Sequence, residues 1–217
     1  MTAMQDPSGA EAKVQFLMAL RARGFRDTAM LRAFETVPRG DFVSRRHVDL
    51  ALSDMRLPIA CGQTISAPTT LAEMIAALDL GPGHRVLEIG AGTGYSAAIC
   101  ARMAASVVTV ERFRSLATEA EARLESLGIG NAEVVHGDGL AIRFSETFDR
   151  IFVDASFDEP PRNLLAALAP EGIMVGVRRT ETGGRLAVYR AGELGFSEER
   201  RGSIALPPLM PGASAAL

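Results

Sequence analysis

The sequence predicts a doubly wound α/β fold with a mostly parallel sheet, helices on both faces, antiparallel late strands and an N-terminal helical extension. Three observations carry this. Short apolar runs at 85–89, 106–111, 132–136, 149–154, 173–177 and 185–190 alternate with helical patterns at 94–104, 115–127 and 160–169, the rhythm of a parallel sheet built through crossovers. The first run leads straight into glycines at 90, 92 and 94 and then an apolar helical stretch. That is a strand, a tight turn and a helix start. Thr182-Gly183-Gly184 gives a hairpin signal between the last two runs, so the final strands turn antiparallel.

The elements before residue 80 follow from stop and start signals. A helix near Ala10–Arg23 is stopped by Gly24. A second, near Asp27–Thr36, has Asp27 as its cap and Pro38 beyond its end. From Asp41 to Ser66 the pattern is irregular, broken by Pro58 and Gly62. A helix follows Pro68, with Leu71, Met74, Ile75 and Leu78 at helical spacing, and stops at Gly81-Pro82-Gly83. Residues 1–9 read as a flexible start, and the Pro/Gly/Ala/Ser-rich tail from Pro207 reads as prone to fraying.

At 217 residues the chain suits one domain with a substantial core. Its 47% hydrophobic and 23% charged content is that of a soluble globular protein. A net charge of −3 without a basic tract argues against nucleic acid as a partner. Cys61 and Cys100 lie too far apart for a zinc spacing and read as free thiols of a reducing compartment; no metal is expected. The N-terminus lacks the pattern of a secretion signal, and no apolar run reaches the ~18 residues of a membrane span. A cytoplasmic monomer is the expectation.

The chemistry begins at VLEIGAGTGY, residues 86–95. Gly90, Gly92 and Gly94 occupy relative positions one, three and five, whereas a dinucleotide fingerprint needs its third glycine at position six, which is Tyr95 here. With Glu88 just before the turn, this favours S-adenosylmethionine over NAD as cofactor. In such sheets ligands bind beyond the carboxyl ends of the strands. Gly90, Gly92 and Gly94 would approach the methionine part and ribose. Glu111, about 20 residues on, would accept from both ribose hydroxyls. Asp138 and Gly139 end the third strand, where they could meet the adenine amino group, and Asp154 ends the fourth near the reaction centre. Taken singly, each has a plain alternative: a packing turn, a solvated strand end, a turn aspartate. Their joint order along the chain points to a nucleoside-type ligand.

Further segments carry a resemblance. VPRGDF (37–42), ALSDMRLPIACGQTISAP (51–68), VLEIGAGTGYSAA, Gly137-Asp138-Gly139 and IALPPL (204–209) resemble motifs of the protein-L-isoaspartate O-methyltransferase family, a Rossmann-like methyltransferase group. The similarity spans roughly residues 35–210, and GQTIS (62–66) is its most specific piece. It implies methylation of isoaspartyl carboxylates in damaged proteins, with isoaspartyl proteins or peptides as partners. Ser66 matches the family's active-site serine; Gln63, Thr64 and Ile65 would line the same loop, with Asp54 holding it. Residues 1–80 would then supply the helical segment and substrate loop, and 81–217 the cofactor-binding core.

The acceptor carboxylate is already ionised near neutral pH, so no general base is required. That suits a chain whose three histidines, His47, His84 and His136, form no catalytic arrangement. Ser66 before Ala67-Pro68 could also be a helix N-cap. The family's Ala-Tyr-x-Asp tyrosine is Leu52, and its small-residue run after the fourth strand is Asp154-Ala155-Ser156-Phe157. Asp154 would repel an acceptor carboxylate unless it points away or is neutralised. These departures leave a second expectation, an O-methyltransferase acting on a small molecule or dedicated peptide. A non-catalytic nucleotide-binding module is a third.

Overall fold

The computed structural model describes residues 7–193 and 195–214. In chain order the elements are α1 (Pro7–Ala22), α2 (Thr28–Thr36), β1 (Leu57–Pro58), β2 (Thr64–Ile65), α3 (Pro68–Leu78), β3 (Arg85–Ile89), α4 (Tyr95–Ala101) and β4 (Ser106–Glu111). They continue as α5 (Arg114–Ser126), β5 (Ala132–His136), β6 (Phe148–Phe157), α6 (Arg162–Ala166), β7 (Leu168–Thr180), β8 (Gly183–Gly192) and β9 (Gly195–Ser203). Seven strands form one sheet in the order β5-β4-β3-β6-β7-β8-β9. β3 to β7 run parallel and β8 and β9 antiparallel. The chain order switches on either side of β3, which pairs with β4 on one edge and β6 on the other.

Alternation along the strands makes two cores. Val86, Phe152, Val175 and Val188 point to the face covered by α2, α3, α4 and α5. Leu87, Ile151, Val153 and Met174 point to the other, which is covered thinly by α6 and by Ile142 and Phe144 of the loop before β6. The helix expected over 160–169 is cut to five residues because Leu168 pairs with Phe148 and starts β7 early. The hairpin is as expected: Thr180 pairs with Gly183 across Glu181-Thr182.

The expected Asp27 cap is made, its carboxylate accepting the Met30 N–H at 2.7 Å. The irregular stretch from Asp41 contains 3-10 turns at Arg45–Leu50 and Ala60–Gly62, the second enclosed by the β1–β2 hairpin. The N-terminal helices dock through aromatic rings: Phe16 meets Phe34, Phe34 meets Tyr95 edge-on, and Phe42 lies 5.3 Å from Tyr95. Tyr95 opens α4 directly after the glycine turn. The first helices are thereby seated against the same turn that begins the functional site.

Three further features depart from the sequence expectation. α1 already begins at Pro7, within the stretch 1–9 read as a flexible start, of which residues 1–6 lie outside the described residues. β9 carries the polar sequence GFSEERRGS and is exposed throughout; it is an edge strand formed by pairing with β8 rather than by burial. The tail does not fray up to Ser214. Leu209 N–H donates to Ser156 O, Arg112 Nε to Gly212 O, and Ser214 N–H to Arg112 O. IALPPL is no strand of the sheet; it meets β6 through a single parallel bridge, Ser156 to Pro208.

Candidate active site

A cavity of about 290 Å³ opens beyond the carboxyl ends of β3, β4 and β6, at the switch in strand order. Gly90, Gly92 and Gly94 all take left-handed φ, +97, +54 and +91. A side chain there would be strained, and at Gly94 a Cβ would also come within 3.2 Å of Ala120 on α5. The turn therefore packs tightly underneath and presents bare backbone at Gly90 and Gly92 to the cavity.

Glu111 is 4% exposed at the end of β4. Its Oε2 accepts Gly92 N–H at 2.8 Å and Oε1 accepts Phe113 N–H at 2.9 Å. Burial raises its pKa, and the backbone N–H groups oppose the rise. A carboxylate has about four lone-pair sites, so these backbone donors do not exhaust it. Glu88 lies behind the turn rather than in the wall. It is fully buried, accepts Thr109 Oγ1–H on Oε2, and leaves Oε1 without a partner. Burial pushes its pKa up to about 8.

Ser66 and Asp154, 88 residues apart in sequence, meet in the cavity wall. The Ser66 hydroxyl donates to Asp154 Oδ1 at 3.0 Å and lies 3.3 Å from Oδ2. Asp154 therefore does not point away. Burial raises its pKa to about 6, with the Ser66 hydrogen bond opposing. Gln63, Thr64 and Ile65 line the same wall. Ser66 is not the cap of α3. That position is Ala67, which has no side chain to give. Asp54 does the work instead, accepting Thr69 N–H at 3.0 Å and Thr69 Oγ1–H at 2.6 Å. Asp54 is outside the wall and also pairs with Arg23 at 3.1 Å.

Asp138 is placed differently from its neighbours. Gly137 and Gly139 line the cavity, and a Cβ on Gly139 would strike Ile89 Cγ2 at 2.6 Å. The Asp138 carboxylate accepts Leu140 N–H at 2.8 Å and Gly212 N–H at 2.7 Å. It thus fastens the tail, whose residues Pro207 to Met210 form part of the cavity wall. Three contributors went unassigned in the sequence: this tail strap, the Arg112-Phe113 pair after Glu111, and Arg39. Proximity in sequence to Glu111 could have flagged the second; the strap overlaps the IALPPL motif, whose place in the wall residue order does not give.

The wall combines apolar Ile89 and Val110, exposed backbone, and two carboxyl groups, with Arg112 the cation lining it. That set suits a cationic nucleoside with a free ribose diol better than a phosphate-rich dinucleotide. S-adenosylmethionine fits on charge, on hydrogen bonding and on the close glycine backbone.

Comparison with known proteins agrees. The family model of the protein-L-isoaspartate(D-aspartate) O-methyltransferases matches residues 11–190. Protein-L-isoaspartate O-methyltransferase 2 of Rhodopseudomonas palustris (strain HaA2) is 52% identical over 164 residues, covering 75% of this chain and 76% of that one. The protein-L-isoaspartate O-methyltransferase of Paracoccus denitrificans is 43% identical over 209 residues, 95% and 97% of the two chains. A solved protein-L-isoaspartate O-methyltransferase superposes with a TM-score of 0.82 at 25% identity, over 90% of this chain and 65% of that one. A Plasmodium falciparum structure in complex with S-adenosyl-L-homocysteine gives 0.77 at 24% identity, over 90% and 97%. No helix among the described residues is long and apolar enough to cross a membrane. The chain belongs to the protein-L-isoaspartate(D-aspartate) O-methyltransferase family, the S-adenosylmethionine-dependent enzymes that methylate isoaspartyl residues in protein repair.

Proposed function

We propose that the residues gathered around this cavity divide the reaction into a donor half and an acceptor half. Gly90, Gly92, Glu111 and Gly139 would hold S-adenosylmethionine, with Gly94, Glu88 and Asp138 supporting them from behind the wall. Ser66 would orient the isoaspartyl carboxylate, with Gln63, Thr64 and Ile65 beside it and Asp54 fixing the loop through Thr69. The observation that carries this is the Ser66–Asp154 contact at 3.0 Å in the same wall as the glycine turn and Glu111.

When bound, S-adenosylmethionine supplies a methyl group on a sulfonium cation. The chain's own task is then positioning. The acceptor oxygen is ionised and needs no base, so the protein must hold it in line and keep water out. Ser66 supplies a hydroxyl for orientation. Asp154 adds negative charge that favours a cation nearby. The strap from Pro207 to Met210 closes the wall. On this reading residues 1–80 supply the acceptor loop and 81–217 the cofactor core, within one compact domain acting as a cytoplasmic monomer.

The test is paired: methyl transfer to an isoaspartyl peptide and to its aspartyl counterpart, followed with labelled cofactor. Transfer to the isoaspartyl peptide alone is expected; equal labelling of both would defeat the acceptor assignment. A second measurement addresses the donor half. Glu111→Gln removes a charged acceptor and opposes an amide NH₂ to one backbone N–H. Cofactor affinity should weaken by about tenfold to a hundredfold, the worth of one charge-assisted hydrogen bond. An unchanged dissociation constant by calorimetry would remove Glu111 from the cofactor site.

A further inference from the structure

Arg39 sits at the start of a short 3-10 turn and is 1% exposed. Among the described residues no carboxylate accepts a hydrogen bond from it. Its Nη1 donates to Ala51 O at 2.7 Å and lies 3.5 Å from Ser53 O. Its Nη2 donates to Met55 O at 3.0 Å and to Ser66 O at 2.9 Å. Its guanidinium carbon lies 6.0 Å from the centre of the Tyr95 ring. One rigid group thus gathers both ends of the 51–66 loop and rests on the first residue after the glycine turn. It is not in the cavity wall.

Burying a cation is costly unless its donors are satisfied. Nε has no partner, and burial lowers the guanidinium pKa, with Tyr95 and Asp54 opposing. A core filler of this size would be cheaper as an apolar side chain, as Phe42 and Leu57 are nearby in the same core. What the fork offers, and an apolar group cannot, is a fixed geometry between carbonyls far apart in sequence. Met55 O and Ser66 O converge on one nitrogen, so the entry and exit of the β1–β2 hairpin are held together.

We propose that Arg39 is a positioning residue for methyl transfer: its guanidinium sets the Ser66 backbone and the 51–66 loop in register with the glycine turn. This rests on the reading that Ser66 faces the acceptor. Arg39→Lys keeps a cation but has a single nitrogen, so it cannot reach both pairs of carbonyls. Arg39→Gln keeps an amide donor without the charge.

For each variant, kcat and KM for an isoaspartyl peptide are compared with the cofactor dissociation constant at 25 °C, per molecule competent to bind cofactor, beside wild type and Ser66→Ala. Arg39→Lys is expected to lower kcat/KM for the peptide at least tenfold with cofactor affinity within twofold, and amide exchange over 51–66 should quicken. A purely structural role would lower the melting temperature yet leave kcat/KM per folded molecule at the wild-type value; that result overturns the proposal. So does failure of both variants to bind cofactor, because Arg39 would then hold the whole fold. If Ser66→Ala is fully active, the Ser66 reading falls; if Ser66→Ala is impaired and Arg39→Lys is not, only the Arg39 proposal falls.

Discussion

Assayed at a pH low enough to keep Asp154 neutral, Ser66→Ala is expected to lower kcat for an isoaspartyl peptide by about tenfold to a hundredfold, the range for losing one hydrogen bond to a charged group. Cofactor affinity should stay within a factor of about two, since Glu111 and the glycine turn are untouched. The hydroxyl has one proton, and in this structure it goes to Asp154. While Asp154 is ionised, Ser66 cannot donate to an acceptor carboxylate as well. Once Asp154 is protonated, its own O–H can donate to Ser66 Oγ and free the Ser66 proton for the acceptor. With the Asp154 pKa raised to about 6, the neutral form prevails below pH 6 and the ionised form above it. The acceptor stays ionised throughout. Peptide KM should therefore rise as pH passes upward through the Asp154 titration, which a bound sulfonium cation draws below 6. Asp154→Asn, which keeps the shape and can donate to Ser66, should flatten that rise. Superimposable KM profiles for wild type and Asp154→Asn would exclude this coupling.

Glu88→Gln should change how stability depends on pH. The Glu88 carboxyl titrates near 8 in the fold against an ordinary value of 4.5, because burial disfavours the charged form. The folded chain thus keeps this proton over a range where the unfolded chain has released it. Stability is full below about pH 4.5, falls as pH rises, and levels off above about pH 8. Each pH unit costs at most about 1.4 kcal/mol. Glutamine is neutral at every pH, so the variant should melt about 10 °C above wild type at pH 8, at about 2–4 °C per kcal/mol for a chain of this size. Near pH 5 the gap should shrink to about 2–3 °C. Calorimetric melting from pH 5 to 8.5 checks this, and a difference that does not vary with pH would contradict it. Asp154 and Glu111 are common to both proteins, but their charges also help to raise the Glu88 pKa, so the difference includes their coupling to Glu88.

Much of the cavity wall around the glycine turn was legible from residue order. Gly90, Gly92 and Gly94 need left-handed backbone, which glycine alone adopts freely, so the turn announces itself. Glu111 ends a strand whose apolar pattern is local, and the strand boundaries at 85–89, 106–111 and 132–136 agree residue for residue with the fold. β9 was not legible, because an exposed edge strand of Glu and Arg has no apolar alternation to read. Asp138 was legible as a strand-end residue but not as the fastening of a tail 74 residues away.

The sequence by itself determined six of the sheet's seven strands, its glycine turn, the cofactor class and the acidic strand ends. Those depend on periodicity and on backbone preferences that act within a few residues. Only the tertiary structure decided what each polar group near the cavity is partnered with. It turned Ser66 from a possible helix cap toward Asp154, gave the capping of α3 to Asp54, and set Arg39 beneath the loop between them. Burial forces every polar group to find a partner, and which partner it finds is fixed by packing of segments distant in the chain, where local pattern carries no information.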